Sequence, residues 1–220
     1  MPKLCIFVAT SSRGKLEDFA AAATINGVVV VALPEFDKLP LVEDGATFEA
    51  NARKKAAAYS QISPGALLLA DDSGLQVDAL GGAPGIFSAR FAAKHESHKP
   101  SDSDNNDKLL YELSLKPEYP RTARFVCVIA AARDGDVLAT FRGEAQGEIL
   151  QMPLGRKGFG YDPLFYSPAA NKTFAEMTRE EKAAYSHRGA AFKIFLDWVQ
   201  RQHGELDLPS THENTSEYNH

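Results

Sequence analysis

Apolar runs and helix-like stretches alternate along the first third of the chain. Residues 4–9, 28–33 and 67–70 are short apolar segments, the second of them rich in valine, and each predicts a buried strand. Between them, residues 16–23 are rich in alanine, and residues 47–61 combine alanine, lysine and arginine behind a threonine start signal. Both stretches predict helices, so we expect strand and helix to alternate here.

The second half of the chain adds a hairpin and a helical region. Residues 122–132 and 137–149 predict two antiparallel strands joined by a turn at 133–136, and residues 108–115 predict a short helix. Residues 178–202 predict one or two helices. Their apolar residues recur at helical spacing, as Phe192, Phe195, Leu196 and Val199. Alternation followed by a hairpin predicts an α/β fold with a mixed sheet and helices on both sides.

Two polar stretches lack any hydrophobic periodicity. Residues 93–107 predict a mobile loop, and residues 204–220 predict a frayed C-terminal tail. Residues 1–203, including the polar loop, are predicted to form a single domain. The chain length of 220 residues suits one domain of ordinary size or one domain built of two lobes.

Composition and charge narrow the class of function. An apolar fraction of 44% is too high for a disordered chain. A net charge of −5 gives no basic face for a nucleic-acid polymer, although it leaves room for a local phosphate pocket. Cys5 and Cys127 lie in apolar runs and predict reduced core thiols. Without a signal peptide or a membrane-length apolar run, we expect a soluble cytoplasmic protein.

Asp71 and Asp72 follow directly behind the third apolar segment and precede Ser73 and Gly74. Adjacent carboxylates at the end of a buried strand repel each other and are costly to desolvate unless a cation or hydrogen-bond donors satisfy them. Mg²⁺ prefers oxygen ligands and commonly uses one or two carboxylates together with substrate phosphates. The pair therefore predicts a metal site, and the alternative is an aspartate pair in an ordinary turn.

The segment ATSSRGK, residues 9–15, links the first predicted strand to the first predicted helix. Backbone N–H groups at a helix N-terminus, together with a lysine, can hold a phosphate. Thr10 stands where the nucleotide-binding P-loop has its first glycine, so the spacing is not that of a P-loop. The alternative is a capped helix that carries Lys15 on its surface.

The segment VEDGATFEANARKKA places acidic residues before and within a predicted helix. Glu43 and Asp44 precede the helix, which carries Glu49, Asn51 and Lys55. Taken alone, the segment is most simply a solvated acidic loop followed by ordinary helix charges.

The segment GFGYDPLF places Phe159 between glycines, with Asp162 three residues later. An aromatic ring on a glycine-rich loop can stack on a nucleobase, and a nearby carboxylate can accept a base N–H. The alternative is a hydrophobic turn that binds nothing.

The segment EEKAAYSHRG brings Lys182 close in sequence to His187 and Arg188. These side chains could bind phosphate or donate hydrogen bonds to a carbonyl oxygen. The alternative is an ordinary loop, and without an adjacent acidic partner the segment does not form a hydrolase triad.

Six segments occur in order between residues 9 and 189: TSSRGK, the stretch containing Glu43, Glu49 and Asn51, ADDSGLQVDALGGAPGIFSARF, GFGYDPLF, KTFAEMTREEK and SHRG. Together they resemble the inosine triphosphate pyrophosphatase family. The resemblance implies hydrolysis of ITP, dITP and XTP to the monophosphate and pyrophosphate. It further implies dependence on Mg²⁺, with Mn²⁺ as a substitute, an elongated two-lobed α/β fold with a central substrate cleft, and a homodimer.

The resemblance also implies a role for each matching residue. The triphosphate loop would consist of Thr10, Ser11, Ser12, Arg13, Gly14 and Lys15. Glu43 and Asp72 would bind the metal, with Asp71 as a further candidate. Asp72 would also accept the proton, and Lys15 and Lys182 would stabilise the leaving group. The other substrate contacts would be Ser73, Phe159, Gly160, Tyr161, Asp162, Lys182, His187 and Arg188.

Base selection would follow from the direction of the hydrogen bonds. Residues 159–162 would hold the base, while His187 and Arg188 would donate to the O6 acceptor of hypoxanthine or xanthine. Adenine presents an amino donor at that position, and a site that demands a specific hydrogen bond can reject the wrong partner by ~10⁴–10⁵.

One departure from the family keeps an alternative open. Ser12 stands where the family usually has asparagine, and the shorter side chain could reduce phosphate affinity. A catalytically weak nucleotide-binding protein is therefore one alternative, although the intact Lys15, Glu43 and Asp72 argue against it. An aspartate-dependent phosphatase is another, but those enzymes usually alternate their aspartates rather than place them side by side.

Overall fold

The structure, a computed structural model, describes residues 5–34, 44–95 and 99–202. Its helices are α1 (Arg13–Ile25), α2 (Phe48–Ser60), α3 (Asp102–Ser114), α4 (Arg179–Tyr185) and α5 (His187–Arg201). Its strands are β1 (Cys5–Ala9), β2 (Val29–Ala32), β3 (Leu68–Val77), β4 (Thr122–Arg133), β5 (Asp136–Ile149), β6 (Phe165–Ser167) and β7 (Lys172–Thr173). Among these residues, no helix has both the length and the apolar character to cross a bilayer. The predicted metal ligand Glu43 and the tail 204–220 lie outside the described residues.

One mixed sheet connects the strands in the order β2-β1-β3-β4-β5-β6-β7. β1 is parallel to both of its neighbours, and Val8 pairs with Ala32 on one side and with Leu69 on the other. β6 is antiparallel to both β5 and β7. Asp134 and Gly135 alone join β4 to its neighbour β5, and so short a connection permits only an antiparallel pair. The predicted mixed sheet, its flanking helices and the hairpin are therefore confirmed.

β3 extends beyond the end predicted from its apolar run. The strand continues from Leu68 through Asp71 and Asp72 to Val77, and nearly all of its residues are buried. The prediction that the two aspartates follow the strand was therefore wrong, because they lie within it. An apolar run ends at the first charge, whereas a strand persists for as long as neighbouring strands pair with it.

α3 begins within the stretch predicted to be a mobile loop. Ser101 is its N-cap: the Ser101 hydroxyl accepts the Asp104 N–H at 3.2 Å, and the Asp104 carboxylate accepts the Ser101 N–H at 2.8 Å. This reciprocal capping box satisfies donors that a helix start otherwise leaves open. Leu109 and Leu113 then bury the inner face of the helix. The loop prediction was wrong from Asp102 onward.

Contacts divide the chain into two compact units, and each has its own core. Unit 1 contains the described residues up to Asp72, together with Val128–Arg142 and residues 191–202. Unit 2 contains Ser73–Cys127 and Gly143–Ala190. The three strands β3, β4 and β5 each contribute residues to both units.

The core of unit 1 is aromatic and includes the C-terminal part of α5. The Phe192 ring lies 6.0 Å from that of Phe19 and 5.5 Å from that of Phe195, measured between centroids. Leu196 and Val199 are buried on the same helix. The predicted apolar face of this helix is therefore confirmed.

Unit 2 has a second aromatic core. The Phe125 ring lies 4.7 Å from that of Phe165 and 5.7 Å from that of Phe174. Cys127 is buried, as its apolar surroundings in the sequence predicted.

Replacing Phe192 with alanine should destabilise the protein by about 3–5 kcal/mol, because the cavity left by a fully buried ring cannot close completely. Ile194→Ala is the matched control on the same helix. Ile194 is 43% exposed, and its truncation should cost less than about 1 kcal/mol. Urea unfolding measures both losses, and equal losses would contradict the assignment of the buried face.

Candidate active site

The turn after β1 begins the first cluster of predicted site residues. β1 pairs with β3 so that Ala9 lies beside Ala70, and the chain then turns into α1. The Thr10 hydroxyl accepts the Ser12 N–H at 3.1 Å, and the Ser12 hydroxyl accepts the Lys15 N–H at 3.4 Å. Ser12, which departs from the family pattern, is therefore the N-cap of α1.

This turn places Lys15 beside Asp71. The lysine Nζ lies 3.2 Å from Oδ1 and 3.0 Å from Oδ2 of the carboxylate. The Asp71 side chain is only 1% exposed. A carboxylate buried so completely is destabilising unless an opposite charge lies close to it. Ser11 and Arg13 are exposed instead, and Arg13 pairs with Glu17 along the surface of α1.

Asp72 takes its partners from α2. Asn51 Nδ2 donates to Oδ2 of Asp72 at 3.0 Å, and Lys55 Nζ donates to Oδ1 at 3.4 Å. The Gly45 N–H donates to Asn51 Oδ1 at 2.7 Å, which leaves the amide nitrogen facing Asp72. From the sequence, Asn51 and Lys55 were placed on a predicted helix, but no partner was predicted for either side chain. Their spacing of four residues puts them on one helix face, and that spacing was the available signal.

Burial governs the electrostatics of Asp72. It raises the pKa of the carboxyl group, and the opposing effects of Lys55, of the Asn51 hydrogen bond and of Lys15 do not cancel it. A raised pKa brings a carboxylate closer to the range in which a general base works at neutral pH.

Only part of the predicted metal site lies among the described residues. Among them, no three His, Cys, Asp or Glu side chains gather closely enough to hold an ion. Asp71 and Asp72 offer hard oxygen ligands on one strand, and the third predicted ligand, Glu43, lies outside the described residues. This donor set fits an ion that takes its remaining ligands from water and substrate phosphates.

The second cluster lies in unit 2, around the loop GFGYDP. Oδ2 of the buried Asp162 accepts the Phe159 N–H at 2.9 Å and the Lys182 Nζ at 2.6 Å. Gly158 has a φ of +76°, and a Cβ at this position would collide with Oδ2 of Asp162. The carboxylate that the sequence suggested for a base N–H thus bonds its own loop and a lysine.

Two cations lie against the ring of Phe159. Lys182 Nζ is 4.6 Å from the ring centroid, and Arg188 Cζ is 5.4 Å from it. Arg188 also donates from Nη2 to the Ser73 hydroxyl at 2.8 Å. Each cation–π contact contributes about 0.5–2 kcal/mol, depending on its exposure, and together they restrict the ring orientation.

The SHRG segment forms the junction between α4 and α5. The Ser186 hydroxyl accepts the Gly189 N–H at 3.2 Å. A Cβ on Gly189 would collide with the carbonyl oxygen of Ala183, so glycine is what allows the two helices to approach. The buried His187 ring stacks on Phe125, with centroids 4.7 Å apart and planes 10° apart. The junction therefore fixes both basic residues of the segment.

The predicted residues thus gather into two sets. In unit 1, Lys15, Asp71 and Asp72 are joined by Asn51 and Lys55. In unit 2 the set consists of Ser73, Phe159, Asp162, Lys182, His187 and Arg188. Asp72 and Ser73 are consecutive residues of β3, so this strand carries members of both sets.

Known proteins resemble the chain over most of its length. The model of the Ham1 family matches residues 6–198. A dITP/XTP pyrophosphatase of Acidobacterium capsulatum is 46% identical over 196 residues, covering 88% of this chain and 97% of the relative. One from Geobacter sulfurreducens is 46% identical over 193 residues, covering 87% of this chain and 94% of the relative.

Solved structures agree with this similarity. A HAM1 protein from Coxiella burnetii superposes with a TM-score of 0.76 at 36% identity, covering 90% of this chain and 99% of the other. A nucleoside-triphosphatase/dITP/XTP pyrophosphatase from Mycobacterium abscessus gives a TM-score of 0.62 at 38% identity, covering 88% of this chain and 99% of the other.

Lys182→Met should destabilise the protein by about 3–5 kcal/mol, because it leaves the Asp162 carboxylate buried without this lysine. Lys172→Met is the matched control. Its pair with Glu181 has the same N–O distance, 2.6 Å, but both side chains are about 40% exposed, so about 0–1 kcal/mol should be lost. Chemical denaturation compares the two, and a loss in Lys172→Met as large as that in Lys182→Met would contradict the structural importance of the buried pair.

Proposed function

Since the chain belongs to the Ham1 family, we propose that it hydrolyses dITP, ITP and XTP to the nucleoside monophosphate and pyrophosphate. This activity removes non-standard purine nucleotides from the nucleotide pool, so the protein is a hydrolase of nucleotide metabolism. One observation carries the proposal: the chain buries Asp71 and Asp72, with Lys15 paired to Asp71, while sharing 46% identity with relatives named for this activity.

The unit 1 set is proposed to act on the triphosphate. Mg²⁺, or Mn²⁺ in its place, would be held by Glu43 and Asp72, with Asp71 as a further ligand, and would supply neutralisation of the phosphate charge. Lys15, at the start of α1, would bind the departing pyrophosphate and stabilise the charge that develops on it. Lys55 would hold the Asp72 carboxylate in place through their 3.4 Å contact.

Asp72 is proposed as the general base. It would take a proton from the attacking water as the new bond to the α-phosphorus forms. The bond from that phosphorus to the bridging oxygen then breaks, and pyrophosphate leaves with the bonding electrons. The contacts of Asp72 with Asn51 and Lys55 support this role, because they hold the carboxylate in a fixed position from which it can accept the proton.

The unit 2 set is proposed to select the base. Phe159 would stack on the purine ring, and His187 and Arg188 would donate to its O6 atom. The amino group of adenine would instead meet these donors without an acceptor, a mismatch that leaves buried donors unpaired. Lys182 was predicted to contact phosphate, and its bond to Asp162 supports a further role in holding the loop that carries Phe159.

Two wider expectations rest on the family resemblance. The enzyme is proposed to act as a homodimer and to work in the cytoplasm, where its nucleotide substrates are found. Its partner molecules would then be a purine nucleoside triphosphate and a second copy of the chain.

Purified protein with Mg²⁺ should release pyrophosphate from ITP at least about 10²-fold faster than from ATP, because adenine offers a donor where the site requires an acceptor. A panel of nucleotides, with phosphate and pyrophosphate assayed separately, measures this ratio. Equal rates on the two nucleotides would overturn the base-selection proposal. Release of inorganic phosphate alone would indicate a phosphatase, and no release would indicate a nucleotide-binding protein.

Asp72→Asn should reduce pyrophosphate release by about 10²–10⁴-fold, since the amide keeps the shape of the side chain but cannot accept a proton. Asp136→Asn is the matched control, because Asp136 is exposed at the start of β5 in the same unit. Circular dichroism checks that both variants fold. A folded Asp72→Asn enzyme with full activity would contradict the assignment of the base.

A further inference from the structure

Two side chains of α3 bind the backbone of one residue, Gly160, in the loop that carries Phe159. Asp102 Oδ2 accepts the Gly160 N–H at 2.6 Å, and Asn106 Nδ2 donates to the Gly160 carbonyl oxygen at 3.1 Å. Asp102 and Asn106 are four residues apart and therefore share a face of the helix. Both polar groups of Gly160 are thus bound by side chains more than 50 residues away in sequence.

α3 is itself firmly anchored within unit 2. Asn105 Oδ1 accepts the Ala92 N–H at 2.8 Å, and its Nδ2 donates to the Ala89 carbonyl oxygen at 3.3 Å. Lys108 Nζ donates to the Phe91 carbonyl oxygen at 2.8 Å. With Leu109 and Leu113 buried below these polar contacts, the helix provides a fixed support for the loop.

The residue next to Gly160 is fixed as well. The Tyr161 hydroxyl donates to the Ser88 carbonyl oxygen at 2.8 Å. Burial, and to a lesser extent the charge of Asp102, raises the pKa of Tyr161, so the phenol stays protonated and keeps this hydrogen bond. The loop therefore has little freedom on the side that faces α3.

The contact between Asn106 and Gly160 leaves the other polar atom of the Asn106 side chain without a hydrogen bond in the described part of the chain. Among the described residues, Asn106 Oδ1 is buried without a hydrogen-bond partner, and burying an unsatisfied acceptor is unfavourable. The side chain nevertheless keeps its amide nitrogen on the Gly160 carbonyl oxygen. This arrangement is accounted for if holding the loop is what the residue contributes.

We propose that Asp102 and Asn106 are positioning residues that set the affinity of the enzyme for the purine base. They act through the backbone N–H and carbonyl groups of Gly160, which fix the adjacent Phe159 in the orientation that stacks on the base. This inference rests on the proposed function, because it takes the Phe159 loop to be the base-binding element. Asp72 and Lys15 have their partners within unit 1. Loss of the contacts to Gly160 should therefore weaken binding of the nucleotide without slowing the chemical step.

The experiment compares Asp102→Ala with Asp102→Asn and Asp104→Ala in the full-length protein. Asn retains a side-chain oxygen that can accept the Gly160 N–H, so Asp102→Asn should behave like the wild type. Asp104→Ala removes the capping-box bonds with Ser101 and controls for a general weakening of α3. Isothermal titration with IMP measures binding independently of turnover, and steady-state kinetics with ITP gives KM and kcat separately.

Asp102→Ala should raise the KM for ITP and the Kd for IMP by about tenfold, which corresponds to ~1.4 kcal/mol, with kcat within about twofold of the wild type. Asn106→Ala should act in the same direction. Asp104→Ala should lower the melting temperature and leave KM and Kd unchanged. Wild-type values of KM and Kd in Asp102→Ala, or a tenfold rise in Asp104→Ala as well, would overturn the inference.

Failure of the proposed function would look different. In that case the wild-type protein would release no pyrophosphate from ITP. If the wild type is active and Phe159→Ala binds IMP as tightly as the wild type does, the loop is not the base-binding element, and the positioning role of Asp102 is overturned while the pyrophosphatase activity stands.

Discussion

Two carboxylates buried side by side on β3 constrain much of unit 1. Asp71 requires Lys15, so β1 and the turn after it must deliver the start of α1 to β3. Asp72 requires Asn51 and Lys55, so α2 must present one polar face to the same strand. Apolar side chains of similar volume often stabilise such positions equally well or better. The pair is therefore better explained by the phosphate chemistry proposed for it than by stability.

Unit 2 also contains a buried carboxylate paired with a lysine, Asp162 with Lys182. Asp162 also accepts the Phe159 N–H, so this buried charge stabilises the conformation of a loop. α3 binds the next residue of that loop, Gly160, through Asp102 and Asn106. An aromatic ring held by backbone contacts on two sides is a preorganised platform, and preorganisation reduces the entropy lost on binding.

The errors made from the sequence share one cause. A charge ended the predicted strand before Asp71, and a polar composition turned the first residues of α3 into a predicted loop. Local polarity is a poor guide where tertiary partners satisfy it: Lys15 neutralises a charge inside β3. The capping box of Ser101 and Asp104 could be recognised in the sequence. It was a better guide to the start of the helix than the lack of hydrophobic periodicity, which suggested a loop.

The sequence by itself determined the order of most strands and helices, the apolar face of α5 and the residue types of both sets, because periodicity and motif spacing are local properties. Only the tertiary structure decided which charge meets which. It paired Lys55 with Asp72 and Lys182 with Asp162, and it brought Asp102 to the Gly160 N–H, a contact that no motif suggested. Such contacts join residues 17 to 58 positions apart, and their energies depend on burial, which a linear pattern does not contain.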